Sequence, residues 1–387
     1  MQIHRIIDIY IYRLLKHVDG MTTAHCGIDV MGEKTHGNCY LVIHHYDKLM
    51  VKATKAISEF LINSANLIKY RNDVARNDPE NLSVFTTNRC NLSCFYCSRN
   101  VSDDSTGSSN RYDDKSDFKN QDLTMILQKY PGIQHVSFVG IGEPFLNKDL
   151  LKMAEQVKKS GRTTSVITNG TLLHNFRGKI GSHFDYISIS LHGLTAKELT
   201  DVSGAPETTF RQFMDNVENL VKEEKEKFPE LKIRASVVYL KENRERVIQA
   251  AEFCIKHGIT EIDVQNYLPI GVDEGKNCVF DDEKDHILFM KKISNEYRKK
   301  LNVNMPVLIK RNVNRIKWGC QSFYRTLRVD GLGQISGCTR ILPPSPKNGN
   351  IHKEMDVWNN EYYKDMRRKF RTKKDIPETC RFCPDAQ

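Results

Sequence analysis

The chain has 387 residues, 39% hydrophobic and 27% charged, with a formal net charge of +10. That length is too great for one ordinary compact domain and suits two structured units or an α/β barrel with an appendage, while no apolar run approaches the roughly 20 residues of a membrane-spanning helix. Lys and Arg are dispersed and interleaved with acids rather than gathered in a stripe, so no nucleic-acid partner is expected; an anionic small substrate, an acidic peptide or simple solubility explains the excess.

The amino-terminal stretch MQIHRIIDIYIYRLLKHV carries Arg5, Asp8, Arg13 and Lys16 among its apolar residues, so it lacks the clean apolar segment and cleavage site of a signal peptide. A cytoplasmic location is expected. Ile3, Ile6, Ile7, Tyr10, Ile11, Leu14 and Leu15 follow helical spacing, which fits an amphipathic helix packed on the protein or, alternatively, lying on a membrane surface. A second helix, DKLMVKATKAISEFLINSANLIKYR, completes a mostly helical extension over residues 1–81.

From LSVFTT onward short apolar runs alternate with helical stretches. The runs are LSVFTT, HVSFVG, TTSVITNG, YISISLHG, IRASVVYL and EIDVQNYL; the helices between them include KDLLKMAEQVKKSG, LLHNFRGKI, FRQFMDNVENLVKEEKEKF and NRERVIQAAEFCIKHG. Strand, helix, strand at this rhythm predicts an α/β fold with six parallel strands and crossover helices over residues 82–310. Val101 to Gln121 is polar and without periodicity, which predicts a mobile loop, plausible as a lid. After the helix EKDHILFMKKISNEYRKKLN the alternation ends, and residues 311–387 form a Gly-, Pro- and Cys-punctuated second domain.

Eleven Cys is high for a cytosolic protein, and in a reducing compartment such thiols point to metal or catalysis before disulfides. Three of them, Cys90, Cys94 and Cys97, stand in CNLSCFYC just past the first predicted strand, where parallel barrels carry their active sites. A structural metal site needs a closed tetrahedron; this run supplies three ligands and stops. Three thiolates suit an iron-sulfur cube with one iron left open, with zinc completed by a distant thiol as the rival. Near the other terminus, Cys320, Cys338, Cys380 and Cys383 can ligate a second 4Fe-4S cluster or a zinc. Gly333 falls in a Cys-x12-Gly-x4-Cys arrangement among them.

The first Cys run, with the aromatic Tyr96 before its last Cys, resembles the signature of the radical S-adenosylmethionine (SAM) superfamily. The resemblance implies a partial (β/α)6 barrel, a 4Fe-4S cluster whose open iron is chelated by SAM, and a 5'-deoxyadenosyl radical that abstracts hydrogen from substrate. It also implies that GIGEP, Gly140 to Pro144, is similar to the family segment binding the methionyl amino group through Gly140, Gly142, Glu143 and Pro144, with Ile141 in place of the usual glycine. Ser190, and with it Ser188, resembles the polar contact to the ribose or methionyl carboxylate, and Leu268 the shelf under adenine. His192 is read as a turn residue at the cavity rim.

The far Cys set resembles the auxiliary-cluster extension called SPASM in its shortened twitch form, nearest to 2-deoxy-scyllo-inosamine dehydrogenase and related carbohydrate enzymes. The resemblance covers roughly residues 82–383 and implies two 4Fe-4S clusters, SAM, and a flavodoxin- or ferredoxin-type electron donor. The expected substrate is a small polar molecule such as a sugar, aminocyclitol or nucleotide sugar, oxidised with the auxiliary cluster taking the second electron, or epimerised with Cys278 returning hydrogen. Maturation of a ribosomally made peptide is the other enzymatic reading, and a zinc-stabilised binding module without chemistry is the third. Cys254, within a predicted helix, reads as a small buried apolar residue.

Overall fold

A computed structural model describes residues 72–97, 116–267, 278–280, 282–306, 308, 320–338, 344–377 and 380, all within the unit that runs from Leu67 to Gln387. The expected amino-terminal helices, the loop from 98 to 115, Leu268 and Cys383 lie outside the described residues.

All six expected strands form: β1 (Asn81–Phe85), β2 (His135–Val139), β3 (Thr163–Thr168), β4 (Tyr186–Ser190), β5 (Lys232–Tyr239) and β6 (Glu261–Asn266). They pair in parallel and in sequential order, Leu82 against Val136 and Ile189 against Ala235. Between them run α1 (Asn120–Lys129), α2 (Leu150–Lys159), α3 (Ile180–His183), α4 (Ala196–Ser203), α5 (Thr208–Asn219) and α6 (Glu245–Lys256), followed by α7 (Lys284–Tyr297).

Sequential order with right-handed crossovers puts the helices on one face of the sheet. The alternation of each strand obeys that arrangement. Leu82, Val84, Val136, Phe138, Val166, Ile187, Ile189, Ala235, Val237, Ile262 and Val264 are buried on the helical side. The opposite, inner face is polar and half-buried, with Ser137, Ser165, Ser188, Ser190, Arg234, Ser236 and Asp263. On it His135 bonds Thr163 (2.8 Å) and Ser165 (2.9 Å), Ser137 meets Ser165 at 2.6 Å, and Arg234 pairs with Glu261 at 2.8 Å. An inner face of hydroxyls and charges is a surface prepared for water or a polar ligand rather than for packing.

Several elements differ from expectation. The alternation does not end after α7: β7 (Asn302–Asn304) adds in parallel to β6. More consequentially, α8 (Ser322–Arg325) leads into β8 (Thr326–Val329), which pairs in parallel with the free edge of β1, and β9 (Ile335–Ser336) returns antiparallel beside it. Among the described residues the sheet therefore has nine strands in the order β7-β6-β5-β4-β3-β2-β1-β8-β9, and the Cys-punctuated region shares it.

The end of the expected mobile loop is folded: Asp117 bridges Thr87, Phe118 is fully buried, and α1 begins at Asn120. LLHNFRGKI forms a 3-10 turn (Leu173–Phe176) and the short α3 around Gly178 rather than one helix. The long helix after α4 widens into a π segment at Leu220–Glu224. No helix among the described residues is long and apolar enough to cross a membrane.

Toward the carboxyl terminus, α9 (Glu361–Thr372) packs on α8 and β8 through Tyr363, Met366, Arg367 and Phe370. Arg367 is fully buried; it donates to the carbonyls of Phe323 (2.8 Å), Trp358 (2.8 Å) and Asp73 (3.2 Å) and to Asn359 Oδ1 (2.9 Å), between the rings of Tyr324, Trp358 and Tyr363. Gly333 occupies the β8–β9 turn with φ +74°, a left-handed conformation that glycine adopts without a steric penalty.

Candidate active site

The carboxyl ends of β1 to β5 bring the sequence-marked residues to one end of the sheet. Leaving β1, the chain is fixed before it reaches the cysteines. Thr86 N donates to Val139 O (3.0 Å), and Asn147 Nδ2 to Thr86 O (2.7 Å). Arg89 forks onto Asp117 (3.3 and 2.5 Å) and reaches Leu146 O (2.8 Å). The loop carrying Cys90, Cys94 and Cys97 then docks on the end of α4, with Ser93 N donating to Ser203 O (2.8 Å) and Phe95 N to Val202 O (3.0 Å). Cys97 N closes a turn onto Cys94 O (3.0 Å).

GIGEP follows β2 and wraps against that loop. Gly142 N donates to Thr87 O (3.1 Å) and Glu143 N to Arg89 O (2.8 Å). A side chain at Gly142 would stand 2.1 Å from Arg89 O, so only glycine allows the approach. Glu143 is buried; its carboxylate accepts from Thr168 Oγ1 (2.7 Å), Asn169 N (2.8 Å) and Phe145 N (3.3 Å), while Pro144 opens a 3-10 turn. Burial pushes the Glu143 carboxyl up to about 7 against these three donors. TNG thereby does more than end β3. Asn169 Nδ2 donates to Asn91 Oδ1 (2.9 Å) and Asn91 Nδ2 to Thr171 Oγ1 (2.8 Å), which ties the Cys loop to Glu143 through two asparagines.

Ser188 and Ser190 stand half-buried on the inner face of β4. His192, read as a turn residue, turns its ring to the Cys loop: Nδ1 lies 2.7 Å from Tyr96 OH and 3.8 Å from Cys94 Sγ. Burial, with the charge of Arg246, lowers the imidazole to about 4. Cys278 is buried, its thiol directed to Tyr267 O at 3.1 Å, in a small apolar cluster that also takes in Tyr96. Cys254 is the buried apolar residue expected, pushed up to about 12 by burial.

Sequence reasoning missed Arg89, Asp117, Asn91, Asn169, Thr171 and Arg246. Arg246 left a signal: a cation in the first turn of α6 opposes the helix dipole, and such a departure from local preference marks a residue held for another reason.

Do three thiols on this loop fit a cube? Among the described residues no three His, Cys, Asp or Glu side chains converge on one ion-sized point. A cube gives each thiolate its own iron, so its ligands surround a volume rather than a point. The thiols are close enough to feel one another: burial first, then the charges of Cys97 and Cys90, push Cys94 up to about 12, so loading a metal must displace protons. The donor set fits.

Residues 84–254 match the family model described as "Radical SAM superfamily". These residues form a radical SAM domain. Over 196 residues the chain is 32% identical to a "Probable GTP 3',8-cyclase" of Metallosphaera sedula, covering 50% of this chain and 57% of the relative. It spans a little over half the length of that relative. Over 321 residues it is 24% identical to the "Tungsten-containing aldehyde ferredoxin oxidoreductase cofactor-modifying protein" of Pyrococcus furiosus, covering 77% and 85% of the two chains. The fold resembles that of Streptococcus suis SuiB, solved bound to precursor peptide SuiA, at TM-score 0.56 and 16% identity over 99% of this chain and 83% of SuiB.

For a radical SAM protein, 4Fe-4S and SAM are the implied cofactors. At the second Cys set, Ser322 Oγ donates to Gly337 O (3.2 Å), Gly337 N to Tyr362 OH (3.3 Å), and the charges of Cys338 and Cys380 both bear on the Tyr362 phenol. Cys320 and Cys380 are buried and Cys338 is half-buried, so three of the four expected thiols come from three separate segments.

Proposed function

We propose that this radical SAM enzyme removes a hydrogen atom from a small polar, hydroxyl-bearing molecule held against the inner face of the sheet, in an oxidation or epimerisation. The observation that carries the reading is the polarity of that face, where Ser137, Ser165, Ser188, Ser190, Arg234 and Ser236 replace the branched apolar residues that fill a closed barrel. Sugars, aminocyclitols and nucleotide sugars match its donors and acceptors. Two relatives are named for related chemistry, one for GTP and one for modification of a cofactor.

Cys90, Cys94 and Cys97 would hold the first cluster, and Gly140, Gly142, Glu143, Pro144, Ser188 and Ser190 would surround SAM, with Tyr96 beside it. When bound, this pair supplies a 5'-deoxyadenosyl radical as the hydrogen-abstracting agent. The chain's own work is positional: the asparagine tie keeps the Cys loop and Glu143 in fixed relation, and the buried carboxylate is available to orient an ammonium. Cys320, Cys338, Cys380 and Cys383 would hold a second cluster, which would supply the electron acceptor that the oxidation version needs. In the epimerisation version Cys278 Sγ returns a hydrogen atom, and the resulting thiyl is restored by one electron from a flavodoxin- or ferredoxin-type donor plus a proton. The number of cysteines in the chain supports a cytoplasmic location.

The test is anaerobic purification followed by dithionite and SAM. About eight irons per chain and release of 5'-deoxyadenosine are expected, stimulated by a sugar phosphate or nucleotide panel. Stimulation by a short peptide instead would transfer the reading to peptide maturation, and colourless protein holding zinc would end it. Cys278→Ala is expected to leave 5'-deoxyadenosine release intact while removing epimerised product; unchanged product would assign the return to another group.

A further inference from the structure

We propose that His192 is a positioning residue for SAM: its imidazole holds the Tyr96 hydroxyl and so fixes the ring expected beside the cofactor, a role that rests on the SAM reading of the Cys loop. His192 Nδ1 lies 2.7 Å from Tyr96 OH and 3.8 Å from Cys94 Sγ, and the imidazole and phenol rings are tilted by 33° with centroids 6.1 Å apart. At 2.7 Å the contact with the hydroxyl is a full hydrogen bond, whichever atom carries the proton.

That bond closes a circuit of supports. His192 follows β4, where Leu191 N donates to Ser236 O (2.8 Å) and Arg246 donates to the carbonyls of Leu191 (3.1 Å) and His192. The turn then runs hard against α4: a side chain at Gly193 would stand 2.2 Å from Leu199 N, and Leu194 N donates to Glu198 Oε2 (2.8 Å). The far end of α4 carries the Cys loop, Ser93 N donating to Ser203 O and Phe95 N to Val202 O. Strand, turn, helix and loop thus return to Tyr96, one residue past the last of those bonds and one before Cys97. The imidazole joins the two ends. Regular elements hold functional groups more precisely than loops do, and here β4 and α4 act together on one phenol.

The other contacts of Tyr96 are made by its ring. Phe95 meets it edge-on at 5.0 Å, and the cluster of Tyr267 and Cys278 packs against it. Apolar contacts confine a ring without directing its hydroxyl; a hydrogen bond does direct it. A ring that is already fixed spares a ligand the entropy of ordering it, and the saving appears as affinity. His192 acts on the cofactor through Tyr96 and is not a catalytic residue.

The experiment measures SAM binding by anaerobic calorimetry, and iron per chain, in cluster-loaded wild type, Tyr96→Phe, His192→Phe, the double variant and His192→Asn. Tyr96→Phe keeps the ring and removes the hydroxyl, His192→Phe keeps a ring and removes the nitrogen, and His192→Asn restores a polar atom where Nδ1 stands. Each phenylalanine variant is expected to weaken SAM binding by about fivefold with iron unchanged. The double variant should be no weaker than either single one, since both lose the same bond, and His192→Asn should stay within about twofold of wild type. Unchanged SAM binding in His192→Phe, or losses that multiply in the double variant, would overturn the proposal. So would iron lost from His192→Phe, which would make the residue a support of the Cys loop rather than of the cofactor. Wild type that holds iron but binds no SAM would remove the SAM reading itself, a failure recognisable before any variant is compared.

Discussion

The two cysteine sites are built in opposite ways. Cys90, Cys94 and Cys97 come from a single loop, positioned by backbone bonds to the end of α4 and by polar ties to neighbouring strand ends. Cys320, Cys338 and Cys380 come from separate segments; Cys338 and Cys380 lie near Tyr362, whose ring packs on Phe323 beside Arg367. The first site is organised by hydrogen bonds at the mouth of a sheet, the second by a hydrophobic wrap at its edge. If both sets ligate clusters as proposed, the single loop should hold its thiols more firmly than the separate segments, which part when their packing opens.

The sharpest way to break this comparison is Cys94→Ala. Iron is expected to fall by about half, from roughly eight to roughly four per chain, with 5'-deoxyadenosine formation at background and the second site still loaded. Loss of all iron would show the sites to be interdependent. Next in size is Arg367→Leu, which strips donors from two buried carbonyls, the half-buried Asp73 carbonyl and Asn359. A loss of about 3 kcal/mol in denaturant unfolding is expected, with iron leaving the second site first; retention of all eight would mean the wrap is not what gathers those thiols.

A third, pH-dependent effect concerns Glu143. Its folded-state carboxyl lies near 7, above its ordinary value of 4.5, because burial disfavours the charge. Folding therefore takes up a proton. The associated stability is complete below about pH 4.5 and disappears as pH rises through 7, at up to roughly 1.4 kcal/mol per pH unit between them. Metal-free wild type should accordingly lose stability relative to Glu143→Gln over that interval, and parallel curves for the two would show the carboxylate to be ionised throughout by its three donors.

The sequence made the six main strands legible because apolar and polar residues alternate cleanly along them, as in Tyr186–Ser190. It marked the first Cys loop because Cys90, Cys94 and Cys97 lie within eight positions. Strands β7 and β8 escaped notice because three or four residues are too few to show a period, and β8 carries Arg328. The ties were invisible for a different reason: Asn91 and Asn169 are 78 positions apart, Arg246 and His192 are 54, and Arg367 and Asp73 are 294. A side chain whose partner is a distant carbonyl leaves no local pattern.

The pairing of β8 with β1 has a consequence for how the chain is made. Until residues around 326 leave the ribosome, the strand that feeds the cysteine turn presents one row of unmatched amides and carbonyls to whatever is nearby. Nascent chains are thus most exposed to sticking together at the very strand their chemistry depends on, and synthesis stalled short of that point should yield aggregates rather than a smaller working enzyme.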